Sequence, residues 1–131
     1  MMPLELKLLG WSVVLLLLQI VLQAATSSSE LGLPYAMSPR DEGHEPRSLY
    51  ARRIRRALGN FLETYPAFVA LALGLVVARK TGGIGEIGAE IYLAARVLHL
   101  IVYAAGISVV RTLFWAISIV GLIMMLVRLL G

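Results

Sequence analysis

The sequence predicts an all-α integral membrane protein, a four-helix bundle of up-down topology in which residues 1–131 form a single transmembrane domain. Three observations carry this prediction. Hydrophobic residues make up 59% of the 131 positions and charged residues only 15%. Mean hydropathy is +0.82, more apolar than a soluble domain of this size with a charged surface. The 8 acidic and 12 basic residues gather mostly in short stretches between four long apolar segments.

The first segment is the plainest. Lys7 and Glu30 enclose 22 uncharged residues, which as a helix would extend about 33 Å, enough to cross the hydrocarbon core of a bilayer. Helix one is therefore placed at about 5–25. A cleaved signal peptide is the rival reading, because Ala24, Ala25 and Ser27 are small. The uncharged run is too long for the apolar region of such a peptide, however, and Glu5 interrupts a basic leader. Residues 26–50 follow as a solvated loop, with Pro34, Pro39, Pro46, Gly32, Gly43 and mixed charges around His44.

Helix two is placed at about 56–79. It starts polar, with Asn60 and Glu63 in its first turns, and is expected to kink at Pro66. The connection through Arg79, Lys80, Thr81, Gly82 and Gly83 is so short that helix three, at about 85–105, must run antiparallel beside helix two. Helix three carries Glu86, Glu90, Arg96 and His99, so plain hydropathy alone would rate it poorly as a crossing. A tight turn at Gly106 leads to helix four, at about 110–129, where Arg111 and Arg128 bracket sixteen uncharged residues and can snorkel toward the interfaces.

Composition also narrows the chemistry. With no cysteine there is no disulfide, thiol nucleophile or thiolate metal site, and two histidines leave little scope for a metal centre. Net charge +4 reads as orientation rather than nucleic-acid binding, since seven basic residues fall on the side of the first and third loops and four on the other. The side with more arginines is expected to be cytoplasmic, which puts both termini on the periplasmic or lumenal side. Arg52, Arg53 and Arg55 are read as anchors to lipid phosphates. Gly83, Gly85 and Gly88 fit the dinucleotide pattern G-x-G-x-x-G but lack a preceding strand, so they are read as turn and packing glycines.

The informative residues are the polar ones inside the crossing segments. Arg56, Asn60 and Glu63 are spaced four and three apart and share a helix face. Arg96, His99 and Tyr103 repeat that pattern on helix three, and helix four opens with Arg111 and Thr112. Such groups are costly in a bilayer unless they pair with one another or face a wet cavity. A convergence of Tyr103, Arg111 and the start of helix two would give a basic pocket for a small anionic ligand. An arginine there would favour a thiolate over a thiol. The other outcome is internal pairing, such as Arg56 with Glu63 or Arg96 with Glu90, and from spacing alone both stay open. Glu86 and Glu90 are read as partners for Arg79, Lys80 or Arg96.

Residues 55–68, RRALGNFLETYPAF, resemble the R-A-x-x-N-x-x-E-x-x-P signature of membrane-associated proteins in eicosanoid and glutathione metabolism (MAPEG). The stretch from Arg96 through His99 to Tyr103 is similar to that family's R-x-x-H-x-x-x-Y, and the turn from Gly106 to Arg111 is similar to its turn leading to an arginine. The resemblance spans residues 5–130. It implies a homotrimer binding glutathione between subunits, with Arg56, Asn60 and Glu63 at the peptide's charged ends, His99, Tyr103 and Thr112 completing the pocket, and Arg111 as the catalytic residue that stabilises the thiolate. It further implies transferase or peroxidase action on lipophilic electrophiles in a bacterial inner membrane. Gly59 and Trp115 depart from eicosanoid-type members, and helix one lacks an arginine, so the chain looks more like the small bacterial branch. The alternative is a non-enzymatic membrane scaffold or an accessory subunit of a larger membrane complex.

Overall fold

The computed structural model describes residues 2–31, Met37 and 49–131. Among these residues four helices follow in order: α1 (Leu4–Leu31), α2 (Leu49–Val77), α3 (Gly83–Ala105) and α4 (Ser108–Leu130). Each contains a stretch long and apolar enough to cross a membrane. The predicted all-α four-helix bundle is what the chain forms. α2 lies against each of the other three helices, and the most extensive packing is between α3 and α4.

Two helix ends differ from the sequence reading for one reason. Charge-free runs mark where the hydrocarbon lies, whereas hydrogen bonding decides where a helix stops. α1 continues to Leu31 rather than ending near 25; at Thr26 the hydroxyl donates to the carbonyls of Leu22 (2.8 Å) and Gln23 (3.1 Å) and so fits within the helix. α2 begins at Leu49, seven residues before the predicted 56, because Arg52, Arg53, Arg55 and Arg56 are good helix formers outside the apolar stretch. Thus the ends of the predicted loop 26–50 are helical, while His44 and the three prolines of that loop lie outside the described residues. α2 also runs unbroken through Pro66, which has no N–H to offer the Leu62 carbonyl.

The core is built on α2. Phe61, Phe68 and Tyr92 are fully buried, with Tyr65 nearly so. Their rings form a stacked series: Phe61–Tyr65 at 4.7 Å, Tyr65–Phe68 at 6.3 Å and Phe68–Tyr92 at 4.4 Å between centroids. Both tyrosine hydroxyls are paired at this depth, Tyr65 with the Ser12 hydroxyl (2.9 Å) and Tyr92 with that of Thr64 (2.9 Å). This satisfies polar atoms that no water would reach in a bilayer.

α1 is patterned inside out. Its inward face carries Glu5, Ser12 and Gln19 at seven-residue intervals, all buried, while Trp11, Val14, Leu17, Leu18 and Val21 face outward. The seven-residue repeat keeps the three polar groups on one side of the helix.

α3 and α4 approach until their backbones touch. A Cβ added at Gly88 would lie 2.5 Å from the Gly121 carbonyl oxygen, and one added at Gly121 would lie 2.6 Å from that of Gly88. The absence of both side chains permits this crossing. At one end the pair is joined by Gly106, whose φ of 82° closes α3; its N–H bonds the Tyr103 carbonyl and that of Ile107 bonds Val102. The Arg53 guanidinium from α2 packs against this turn. At the other end the Gly82 N–H donates to Glu5 Oε2 (2.7 Å), Lys80 Nζ to the Leu129 carbonyl (2.9 Å) and Arg128 Nε to the Lys80 carbonyl (3.0 Å). Lys80, one of the partners expected for Glu86 and Glu90 alongside Arg79 and Arg96, is here bonded to the Leu129 carbonyl.

Candidate functional site

The polar positions of α2, α3 and α4 meet near the end of the bundle marked by Gly106. Antiparallel packing of three helices sets Asn60 of α2 opposite His99 and Tyr103 of α3, and the tight turn brings Arg111 and Thr112 of α4 alongside. Together with Trp115 these side chains line an open crevice of about 230 Å³. Five of the seven residues assigned to the pocket by the family resemblance are thus neighbours around one cavity. The other two are not: Arg56 and Glu63 are exposed along α2, outside the crevice lining.

Within the crevice Arg111 lies with its guanidinium carbon 4.6 Å from the centre of the Tyr103 ring. This cation–π contact fixes a cation that is itself only half-buried. The His99 ring meets the same tyrosine edge-on at 5.4 Å, so Tyr103 is held from both sides. Thr112 donates to the Ser108 carbonyl one turn back (3.1 Å), leaving its oxygen free to accept. Trp115 is 39% exposed and forms the outer rim.

Arg96 lies behind this wall. It is 1% exposed, and its Nη2 donates to Asn60 Oδ1 at 2.9 Å. Its guanidinium carbon is 5.5 Å from the centre of the Phe61 ring. The Nε and Nη1 donors have no hydrogen-bond partner among the described residues. The pairing considered from sequence, Arg96 with Glu90, is replaced by this bond across to α2, and Glu90 is exposed on another face of α3. The spacing of Arg96 from His99 placed it on the correct face; nothing in the sequence indicated which residue of α2 it would meet.

The donor set suits an anion. Guanidinium, phenol, hydroxyl and carboxamide groups line the crevice, and among the described residues no carboxylate does. Among the described residues no group of three or more His, Asp or Glu side chains could hold a metal ion.

A family model for the MAPEG family matches residues 8–131. Neither a curated protein nor a solved structure matches the chain.

Proposed function

From the premise that the chain belongs to the MAPEG family of membrane proteins, whose members include glutathione transferases and peroxidases, we propose that it is a glutathione-dependent transferase or peroxidase acting on lipophilic electrophiles. The observation that carries this reading is the open crevice in which Asn60, His99, Tyr103, Arg111 and Thr112 converge. Polar groups are costly within membrane-crossing segments, and an open, basic cavity gives them a use that closed mutual pairs would not. Arg111 is the group assigned to the sulfur. A guanidinium beside a thiol stabilises the thiolate, which is the nucleophile. In conjugation the thiol proton passes to water, the S–C bond forms and the leaving group departs with its electron pair. In the peroxidase reaction two glutathione thiols are oxidised to a disulfide while a hydroperoxide is reduced to an alcohol and water.

The crevice of one chain is smaller than the roughly 300–1,000 Å³ of most small-molecule sites. Arg56 and Glu63 stand exposed beyond it on the Asn60 face of α2. A homotrimer accounts for both facts if each site is completed by a neighbouring copy, with Arg56, Asn60 and Glu63 receiving the charged ends of the tripeptide. The apolar outer surface, including Leu113 and Trp115 at the crevice end, suits a second substrate that arrives from the membrane lipids. The proposed setting is a bacterial inner membrane with the termini on the periplasmic side.

The test is calorimetric titration of glutathione into detergent-purified protein, beside Arg111→Ala and Arg56→Ala. Saturable binding weakened by both substitutions is the expected result. No heat at millimolar glutathione, from a protein that remains a folded oligomer, overturns the reading and favours a scaffold or accessory subunit of a larger membrane complex.

A further inference from the structure

Arg96 is a buried cation that does not reach the crevice lining, and the one side-chain hydrogen bond it makes among the described residues goes to a residue that does. An arginine is a costly means of merely joining two helices, because two of its donors remain buried without a partner among the described residues. The consequence of the bond lies in what it does to Asn60. A carboxamide has one accepting and one donating end, and rotation by 180° about its terminal bond exchanges them. A guanidinium can only donate, so the end of Asn60 that meets Arg96 must be the oxygen. The end left for a ligand is the Nδ2 amine, with two N–H groups.

We propose that Arg96 is a positioning residue: by holding Asn60 Oδ1 it locks the carboxamide with its N–H groups presented to the crevice, making Asn60 a dedicated donor to an acceptor atom of the bound ligand. The inference rests on the glutathione reading for the identity of that ligand. It adds a polarity that the reading does not contain. With Arg111, Tyr103 and a locked Asn60, three sides of the crevice offer donors to the same occupant, which therefore presents carboxylate, carbonyl or thiolate atoms rather than an amine at that point. The Phe61 ring, 5.5 Å from the guanidinium carbon, gives the cation a second contact besides Asn60.

The informative variant is Asn60→Asp. It keeps an acceptor for Arg96, and it replaces the donor facing the crevice with a second acceptor. Its fold and thermal stability are therefore retained, while affinity for an acceptor-rich ligand falls about 10- to 100-fold. Arg96→Met removes the lock and leaves the amide free to turn, with a loss of about 10-fold, and Arg96→Lys, which still donates to Oδ1, recovers binding to within about threefold. Binding is read from Trp115 fluorescence in a Trp11→Phe background, with glutathione and, in a parallel series, inorganic sulfate as probes. A merely structural role for the Arg96–Asn60 bond predicts that Arg96→Met, while it remains a folded oligomer, binds as tightly as the parent, and that result overturns the proposal. If the parent responds to sulfate and not to glutathione, the functional reading fails while the sulfate affinity of Arg96→Met still decides the proposal. If the parent responds to neither, both are overturned.

Discussion

Glu5 and Gly82, 77 positions apart in sequence, are joined by a 2.7 Å hydrogen bond from the Gly82 backbone N–H to Oε2 of a carboxyl that is completely buried. Gly82 occupies the N-cap position of α3, where no side chain of its own is available to satisfy the exposed backbone donors. Glu5 performs this capping from another helix, and its charge lies at the favourable end of the α3 dipole. Replacing Glu5 by Ala leaves that donor unpaired and is expected to lower stability by about 1–3 kcal/mol. Thermal unfolding of the two proteins in the same detergent checks it. An unchanged melting temperature counts against the cap.

The crossing of α3 and α4 gives a second expectation. In Gly88→Ala the new methyl would be 2.5 Å from a carbonyl oxygen, which is backbone and cannot swing aside. The helices must separate, at a cost of about 1–3 kcal/mol. Gly59→Ala, on the open surface of α2 with nothing within 4 Å of an added methyl, is the control and should be neutral or stabilising. Measuring both by denaturation in mixed micelles distinguishes a backbone contact from a general intolerance of substitution.

A third expectation concerns the hydroxyl pair between α2 and α3. Thr64 and Tyr92 are 2.9 Å apart and both buried. Thr64→Val and Tyr92→Phe remove one partner each, and their double-mutant cycle should give a coupling of about 0.6 kcal/mol, with about 1.7 kcal/mol as a ceiling. Coupling indistinguishable from zero would mean that each hydroxyl finds another partner when the first is lost.

The fourth expectation is kinetic and rests on the assigned role of Arg111. A guanidinium that stabilises the thiolate lowers the thiol pKa, so the rate of the native protein reaches its plateau at a lower pH than that of Arg111→Ala. Loss of the arginine should shift the rising limb of the pH–rate profile upward and reduce the neutral-pH rate by about 10²- to 10³-fold. A profile that keeps its midpoint while falling in amplitude assigns Arg111 to binding rather than to the sulfur.

Much of this architecture is legible in the residues. The apolar segments name four helices because the bilayer requires length and hydrophobicity and little else. The repeated three-and-four spacings put Asn60 on one helix and His99 and Tyr103 on another, on faces that do meet across the crevice. Spacing identifies a face but not what stands opposite it, and Arg56 and Glu63 show the difference, for they share the face of Asn60 yet remain exposed beyond the lining. The partner of Arg96 was hidden for the same reason. Glu5 was misjudged in a different way. As the one acid in the first turn of α1 it reads as an interruption of a leader sequence, and its value depends on a turn 77 positions later.

Hydropathy ranks α1 as a strongly apolar crossing, yet averaging over its length conceals that the helix is two-faced, with Glu5, Ser12 and Gln19 turned inward. Alone in lipid, such a helix would carry a carboxyl and a carboxamide with no other helix to bond, and its Ser12 hydroxyl would keep only the Leu9 carbonyl one turn back. Its place in the protein is consequently that of a fitted part rather than a mooring. A polyleucine segment of the same length would enter the bilayer at least as readily, but it would offer nothing to the Tyr65 hydroxyl or the Gly82 amide and would leave one wall of the bundle unfastened.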